Sequence, residues 1–224
     1  MENKKVLVSQ RFVVICSVYV TCLLLSNLIA GKMISLFGLT LPAAVILFPI
    51  TYIFGDIFTE VYGFKNARMI IWVGFACSFF AVLVYILTIL LPYPDFWTGQ
   101  EAYRTVLGTT PRVFAASLIG YLFGEFSNSM IISKLKVITK GKSLWLRTIT
   151  STIVGEAFDS VIFIVISFGG TMENAVLLQM ILFQYLFKVC YEIVLTPATY
   201  AFVGWLKKKE NTDVFDYDVK YRII

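Results

Sequence analysis

The chain has 224 residues, of which 58% are hydrophobic and 15% charged, and it contains no histidine. Soluble domains are about 45–50% apolar and about 25% charged, so this composition excludes a soluble globular domain, a disordered chain and a disulfide scaffold. The lack of histidine excludes zinc-protease and Ser-His hydrolase sites. We therefore predict an integral membrane protein that is not an enzyme.

Six apolar runs follow one another along the chain with short polar breaks between them. A helix needs about 20 mostly apolar residues to cross a bilayer. The runs cover residues 12–30, 41–61, 69–91, 113–132, 148–168 and 176–205. We predict an all-α membrane domain of six transmembrane helices over residues 12–205, preceded by a cytoplasmic segment (1–11) and followed by a cytoplasmic tail (206–224). Residues 211–224 carry no motif and are expected to lie on the surface.

Lysine and arginine residues alternate between the two sides of these predicted spans. Fifteen of the 19 fall on the side of the N-terminus, and only Lys32, Arg104 and Arg112 fall on the other side, while Lys188 lies within a span. Cytoplasmic loops of membrane proteins carry the excess of positive charge. Both termini are therefore predicted to be cytoplasmic. The net charge of +5 fits this rule and an attraction to anionic lipid, and no nucleic-acid partner is expected.

Three local features depart from six plain helices. Residues 31–40 are too apolar for an ordinary loop and too short to cross, so we predict a small hairpin that turns near Gly38 at the outer rim. Pro49 lies inside the second run and is expected to kink that helix. Gly120 and Gly124 form a small-residue motif of the kind that packs helices closely. The motif leaves open a homodimer or packing within one chain.

Charged side chains inside the predicted spans are the strongest functional signal. They are Asp56, Glu60, Glu125, Glu156, Asp159, Lys188 and Glu192. Each costs about 2.5–3.5 kcal/mol near mid-membrane, and the pairs spaced by three or four residues share a helix face. One lysine cannot neutralise six carboxylates, so the surplus must be protonated, hydrated or bound to a ligand. We predict that they line one polar cavity, with a rim position for Glu60 and Glu125 and an internal ion pair of Lys188 with Glu192 as the alternatives.

A short sequence echo connects the two halves of the chain. Gly55-Asp56-x-Phe58 in the second span resembles Gly155-Glu156-x-Phe158 in the fifth span. These spans run in opposite directions and occupy matching places in two groups of three helices. This arrangement is typical of inverted-repeat transporters, whose binding site lies at the interface between the repeats. The echo therefore favours a 3+3 inverted pseudo-repeat.

The segment FPITYIFGDIFTEVYG, residues 48–63, resembles the signature of the VUT family of vitamin uptake transporters. Ser26-Asn27, residues 155–160 and residues 187–189 extend the resemblance over about residues 12–205. It implies a multi-pass inner-membrane protein that imports queuosine precursors, 7-deazaguanine bases such as preQ0 and preQ1, or queuine, for tRNA modification. The resemblance carries over Asn27, Asp56, Asp159 and Lys188. The glutamates at 60, 125, 156 and 192 are candidates for substrate preference.

The residue chemistry agrees with such a substrate. A deazaguanine presents a ring N–H and an exocyclic amine on one edge, and a carboxylate such as Asp56 or Asp159 can accept both. An aromatic ring can stack on its face. The predicted substrate-binding residues are Asn27, Tyr52, Asp56, Glu60, Glu125, Glu156, Asp159, Gln184, Lys188 and Glu192.

Three questions stay open at this point. No cofactor or metal is expected, whereas proton coupling is left open because buried carboxylates bind protons. The chain is also compatible with a substrate-binding subunit of an energy-coupling-factor vitamin system, which depends on a separate ATPase. It is compatible as well with a carrier for another small planar vitamin or base.

Overall fold

A computed structural model describes residues 9–36, 39–108, 111–171 and 173–222. Its elements are α1 (Gln10–Ile29), β1 (Met33–Leu36), β2 (Leu39–Pro42), a 3-10 turn (Ala43–Ile46), α2 (Phe48–Tyr62), α3 (Phe64–Leu90), α4 (Gln100–Leu107), α5 (Pro111–Ile138), α6 (Leu144–Phe168) and α7 (Asn174–Glu210). Among the described residues, five helical segments are long and apolar enough to cross a membrane, namely α1, α3, α6, α7 and the segment that contains α5.

The second predicted span, residues 41–61, differs from the helix that the structure has there. Helix α2 has only 15 residues, which gives about 22 Å at 1.5 Å per residue, less than the roughly 30 Å hydrocarbon thickness. Residues 41–47, expected to be helical, instead end strand β2 and form the 3-10 turn. Leu41 and Val45 are buried, and irregular backbone is tolerated at membrane depth where protein covers it.

The hairpin expected over residues 31–40 is confirmed. Strands β1 and β2 pair antiparallel, with Met33 opposite Pro42 and Leu36 opposite Leu39. Gly38, the predicted turn residue, lies outside the described residues. The hairpin leads directly into the 3-10 turn and so fixes where α2 begins.

The predicted kink at Pro49 is wrong. Pro49 lies in the first turn of α2. Backbone N–H groups in the first turn have no acceptor within the helix, so the N–H that proline lacks costs no hydrogen bond, and the fixed φ angle of proline suits the helix start. The proline therefore starts the helix and does not bend it. Pro197, in contrast, lies inside the 37-residue helix α7.

The bundle has two ends, which we name by their characteristic segments. At the hairpin end lie β1, β2 and α4, together with the short link between α6 and α7. At the tail end lie the link between α5 and α6 and the tail, residues 211–222. The Ser9 hydroxyl donates to Glu210 Oε1 at 2.8 Å, so α1 starts beside the end of α7. Between the two ends, an aromatic core packs around Tyr19, Phe58 and Phe126.

Helices α5 and α6 cross closely at their glycines. A Cβ atom on Gly124 would collide with the Tyr52 hydroxyl and would lie 3.1 Å from the carbonyl oxygen of Gly155. A Cβ on Gly155 would lie 2.9 Å from the carbonyl oxygen of Gly124, and one on Gly120 would lie 3.0 Å from Asp159 Oδ1. The Gly120–Gly124 motif therefore packs helices within the chain, while the homodimer remains a prediction.

We expect Gly124→Val to destabilise the protein, because both neighbours at this crossing are fixed by their helices. Overpacking of this kind costs on the order of 1–3 kcal/mol. The matched control is Gly204→Val in α7, where a Cβ meets nothing within 4 Å. The unfolding temperature of the purified protein in detergent measures the difference. Equal losses in the two variants would contradict a close α5–α6 crossing.

Candidate functional site

A narrow cavity of about 30 Å³ lies at the hairpin end between α1, α5, α6, α7 and the 3-10 turn. Its polar lining residues are Asn27, Ser117, Asp159, Gln184 and Lys188, and Phe48 and Phe163 are among its apolar ones. A groove of about 370 Å³ along α3 and α4 shares Asn27, Ser117 and Phe163 with it. The narrow cavity by itself holds about two water molecules, so a ligand the size of a base also needs space from the adjoining groove. Its apolar walls and few polar groups are the usual lining of small-molecule sites.

Lys188 is the only cation lining this cavity in the described part of the chain. Its Nζ donates to Glu156 Oε2 at 2.7 Å and to Asp159 Oδ2 at 2.5 Å, and it lies 4.5 Å from the centre of the Phe48 ring. Glu156 and Asp159 are three residues apart on α6 and so face the same way. One ammonium therefore serves two carboxylates, and the group keeps one net negative charge when all three are ionised.

Amide and hydroxyl groups complete the polar lining. Ser117 Oγ donates to Asn27 Oδ1 at 2.8 Å, and Asn27 Nδ2 donates to Ser78 Oγ at 3.4 Å. Within the described residues, the buried Gln184 Oε1 has no hydrogen-bond partner. A buried acceptor without a donor costs about 1–3 kcal/mol, so this oxygen is an unused hydrogen-bond acceptor at the cavity wall.

A second polar layer, formed by Tyr52, Asp56, Glu125 and Glu192, lies deeper in the bundle. Asn128 Nδ2 donates to Asp56 Oδ1 at 2.6 Å, and the Tyr52 hydroxyl donates to the carbonyl of Gly155 at 3.4 Å. Glu125 is packed against the backbone of α2, since a Cβ on Gly55 would lie 2.5 Å from its Oε2. We call Asp56, Glu125 and Glu192 the middle carboxylates.

Glu60 lies at the tail end, apart from the cavity. Its two carboxylate oxygens accept from Nε and Nη2 of Arg147, both at 2.7 Å, and Oε1 also accepts from Lys207 Nζ at 2.5 Å. Asp213 accepts from Lys136 at 2.5 Å and pairs with Lys207 at 2.9 Å. These five residues, Glu60, Lys136, Arg147, Lys207 and Asp213, form what we call the tail-end ion network.

The tail packs against the bundle, whereas a surface position was expected. Asp216 Oδ2 accepts from the backbone N–H of Phe64 at 2.9 Å and from Ser133 Oγ at 2.6 Å. The first of these bonds satisfies a free N–H at the start of α3. Burial acts to raise the pKa of Asp213, but the hydrogen bonds from Lys136 and Lys207 outweigh it and lower that pKa below its ordinary value.

The structure thus separates the sequence-predicted residues into three levels. Asn27, Asp159, Gln184 and Lys188 line the cavity, with Glu156 bound to Lys188. Tyr52 and the middle carboxylates lie below it, and Glu60 is in the tail-end ion network. On α2, Phe48, Tyr52, Asp56 and Glu60 recur every four residues and so mark one helix face that connects the three levels.

Several residues of these levels were not singled out from the sequence. Ser117 precedes Gly120 by three residues and Asn128 follows Glu125 by three, so each shares a face with a recognised position. Their three-residue spacing from a recognised position is the sequence feature that could have identified Ser117 and Asn128. Arg147 and Lys136 were counted as loop charges that set the topology, and nothing local in the sequence pairs them with Glu60.

Residues 42–202 match the family described as "Putative vitamin uptake transporter". The chain is 29% identical over 177 residues to a Bacillus subtilis (strain 168) protein named "Probable queuosine precursor transporter", covering 79% of this chain and 77% of that protein. It is 25% identical over 172 residues to the "Queuosine precursor transporter" of Escherichia coli (strain K12), covering 75% of each. No solved structure matches the chain. These matches and the five apolar helices identify a multi-pass membrane protein.

Proposed function

The chain belongs to the family of vitamin uptake transporters, and from this premise we propose that it imports a queuosine precursor through the cavity at the hairpin end. The substrate is a 7-deazaguanine base, such as preQ0 or preQ1, or queuine. Two relatives named queuosine precursor transporters support the substrate class. The observation that carries the proposal is the cavity itself, in which Asp159, Lys188, Gln184, Asn27 and Ser117 meet between apolar walls.

The proposed orientation places the tail end in the cytoplasm of an inner-membrane protein. The positive-inside rule supports it, since 15 of the 19 lysines and arginines fall on that side of the predicted spans. In this topology α2, with the 3-10 turn and hairpin before it, completes the sixth span. The cavity then opens to the outside, while the tail-end ion network closes the cytoplasmic side. We propose that this arrangement is the state that accepts substrate from outside.

Asp159 is the proposed acceptor for the guanine-like edge of the base. A carboxylate accepts a ring N–H and an exocyclic amine side by side. When the base binds to Asp159, the Lys188 ammonium remains paired with Glu156, which it already contacts at 2.7 Å. Gln184 and Asn27 supply further hydrogen bonds, and the ring of Phe48 or Phe163 offers a stacking surface.

Substrate release requires the tail end to open. We propose that the two groups α1–α3 and α5–α7 move against each other as a 3+3 inverted pseudo-repeat, the arrangement in which alternating access occurs around a central site. The echo between Gly55-Asp56 and Gly155-Glu156 supports this assignment, because the first pair lies on α2 and the second on α6. Opening then has to break the contacts of Glu60 with Arg147 and Lys207.

A rescue assay tests the proposed function. Bacteria that lack both queuosine synthesis and their own importer receive this gene and low concentrations of preQ0, preQ1 or queuine, and boronate-gel mobility of tRNA measures modification. We expect modification with at least one base only when the gene is present. Host cells without an energy-coupling module separate a self-sufficient transporter from a binding subunit that needs one. If no base rescues while immunoblots find the protein in the membrane, the proposed substrate class is wrong.

A further inference from the structure

The three middle carboxylates have no role in the substrate contacts proposed above. Asp56 lies on α2, Glu125 on α5 and Glu192 on α7, between the cavity and the tail-end ion network. Their relative exposures are 0%, 0% and 1%, so water does not reach them in this state. An ionised carboxylate in such a place costs several kcal/mol unless it is paired or fully hydrogen-bonded.

These carboxylates are short of hydrogen-bond donors. Within the described residues, both oxygens of Glu125, both of Glu192 and Oδ2 of Asp56 have no partner. A neighbouring amide points to the same deficit, because the buried Asn128 donates to Asp56 while its own Oδ1 has no partner. All of these atoms are acceptors, and acceptors gathered in a dry site require donors.

The cations of the surrounding elements are engaged elsewhere. On α7, Lys188 is bound by Glu156 and Asp159 of α6. Arg147 of α6, Lys136 of α5 and Lys207 of α7 belong to the tail-end ion network around Glu60 and Asp213. In the described part of the chain, no ion pair reaches any middle carboxylate.

The other groups that face this layer are negative or neutral. Glu125 is repelled by Glu156, Asp159 and Glu192 and attracted by Lys188, the cation that Glu156 and Asp159 already bind. Asp56 is repelled by Glu192, Glu125 and Glu60. Tyr19 of α1 and Tyr121 of α5 share a hydrogen bond of 2.6 Å, and α3 approaches through the carbonyl of Ile71, which accepts from Tyr121. In the described residues, no three histidine, cysteine, aspartate or glutamate side chains are grouped so as to hold a metal ion.

We propose that Asp56, Glu125 and Glu192 form a proton-binding site that couples substrate import to inward proton movement. The proposal rests on the proposed function. When the layer opens towards the cavity, a proton from the outside forms an O–H bond on one of these carboxylates, which becomes neutral. After the tail end opens, the acid ionises again and releases the proton into the cytoplasm. No redox step is involved.

The experiment uses the purified full chain in proteoliposomes and radiolabelled 7-cyano-7-deazaguanine (preQ0). This base is neutral, because it lacks the aminomethyl group of preQ1. Two rates are measured: uptake with the outside more acidic than the inside, and substrate counterflow at equal pH. With one proton per substrate, a gradient of one pH unit supports about tenfold accumulation. We expect acid outside to stimulate wild-type uptake, and the ratio of gradient-driven to gradient-free uptake to fall to one in Glu125→Gln and Glu192→Gln. The control Glu101→Gln changes a glutamate whose side chain is 81% exposed, and it should keep the wild-type ratio.

Each result has a distinct meaning. Wild-type counterflow without any response to the gradient overturns proton coupling and leaves the proposed function intact. A wild-type ratio in both glutamine variants overturns the assignment to these carboxylates. Loss of all counterflow in the glutamine variants, with the protein still folded, places the two glutamates in substrate binding and also overturns the proposal. If the wild type transports no 7-cyano-7-deazaguanine here and none of the three bases rescues cells in the assay above, the proposed function is contradicted and the proton site with it.

Discussion

Glu60→Gln is expected to lower the free energy of unfolding by about 3–5 kcal/mol, the usual result of removing one partner from a buried ionic group. Glu60 is fully buried and accepts two bonds from Arg147 and one from Lys207. With glutamine in its place, Arg147, whose side chain is 1% exposed, stays buried without a carboxylate partner, and Asp213 is the remaining counter-charge for Lys207. The unfolding temperature of the purified protein in detergent measures the loss.

A double-mutant cycle separates the ion network from a simple packing effect. Arg147→Gln combined with Glu60→Gln removes both charges, so the double variant should be more stable than the sum of the two single losses allows. The exposed change Glu101→Gln serves as the control and should unfold at the wild-type temperature. If Glu60→Gln unfolds at the same temperature as this control, the tail-end ion network does not stabilise the fold.

Asp159→Asn is expected to abolish substrate uptake while leaving the protein in the membrane. The amide offers one acceptor oxygen and one donor nitrogen where the guanine-like edge presents two donors, so one bond is lost and the other weakened. Hydrogen bonds to charged groups contribute about 1.5–3 kcal/mol each, which predicts a loss on the order of a hundredfold in affinity. In this variant Lys188 still pairs with Glu156, so the buried ammonium retains a counter-charge and we expect the protein to fold.

The control for this variant is Asp95→Asn, which makes the same chemical change at an exposed residue of the link between α3 and α4. Initial uptake of preQ0 or preQ1 is measured in cells, with the amount of protein in the membrane determined by immunoblot. Asp95→Asn should transport at the wild-type rate. Uptake by Asp159→Asn at the rate of this control would rule out Asp159 as the acceptor for the base.

The sequence identified the long helices and the buried charges because both depend on local properties. A run of about 20 apolar residues has few alternatives to a spanning helix, and a charge inside such a run is costly wherever it lies. The structure agrees with this expectation, because Asp56, Asp159, Lys188 and Glu192 are all buried. The short α2 was missed because residues 41–47 are as apolar in the strand and 3-10 turn as they would be in a helix.

Partners across the bundle were beyond the reach of sequence patterns. Glu60 was grouped with the other span carboxylates, yet it pairs with Arg147, which is 87 positions away along the chain. The predicted topology accounted for the lysines and arginines at the tail end, so their ion pairs with Glu60 and Asp213 left no further signal in the sequence. The docking of Asp213 and Asp216 likewise depends on where α2, α3 and α5 end in space, which no local spacing specifies.

The most direct test of the central claim is a binding titration of the purified full chain in detergent with 7-cyano-7-deazaguanine. We predict saturable binding that guanine reduces and adenine does not, because only guanine presents the ring N–H and exocyclic amine together. Binding should be retained in Asp95→Asn and lost in Asp159→Asn. Equal binding by Asp159→Asn and the wild type, or equal competition by adenine and guanine, would contradict a site in which Asp159 recognises the edge of a deazaguanine base.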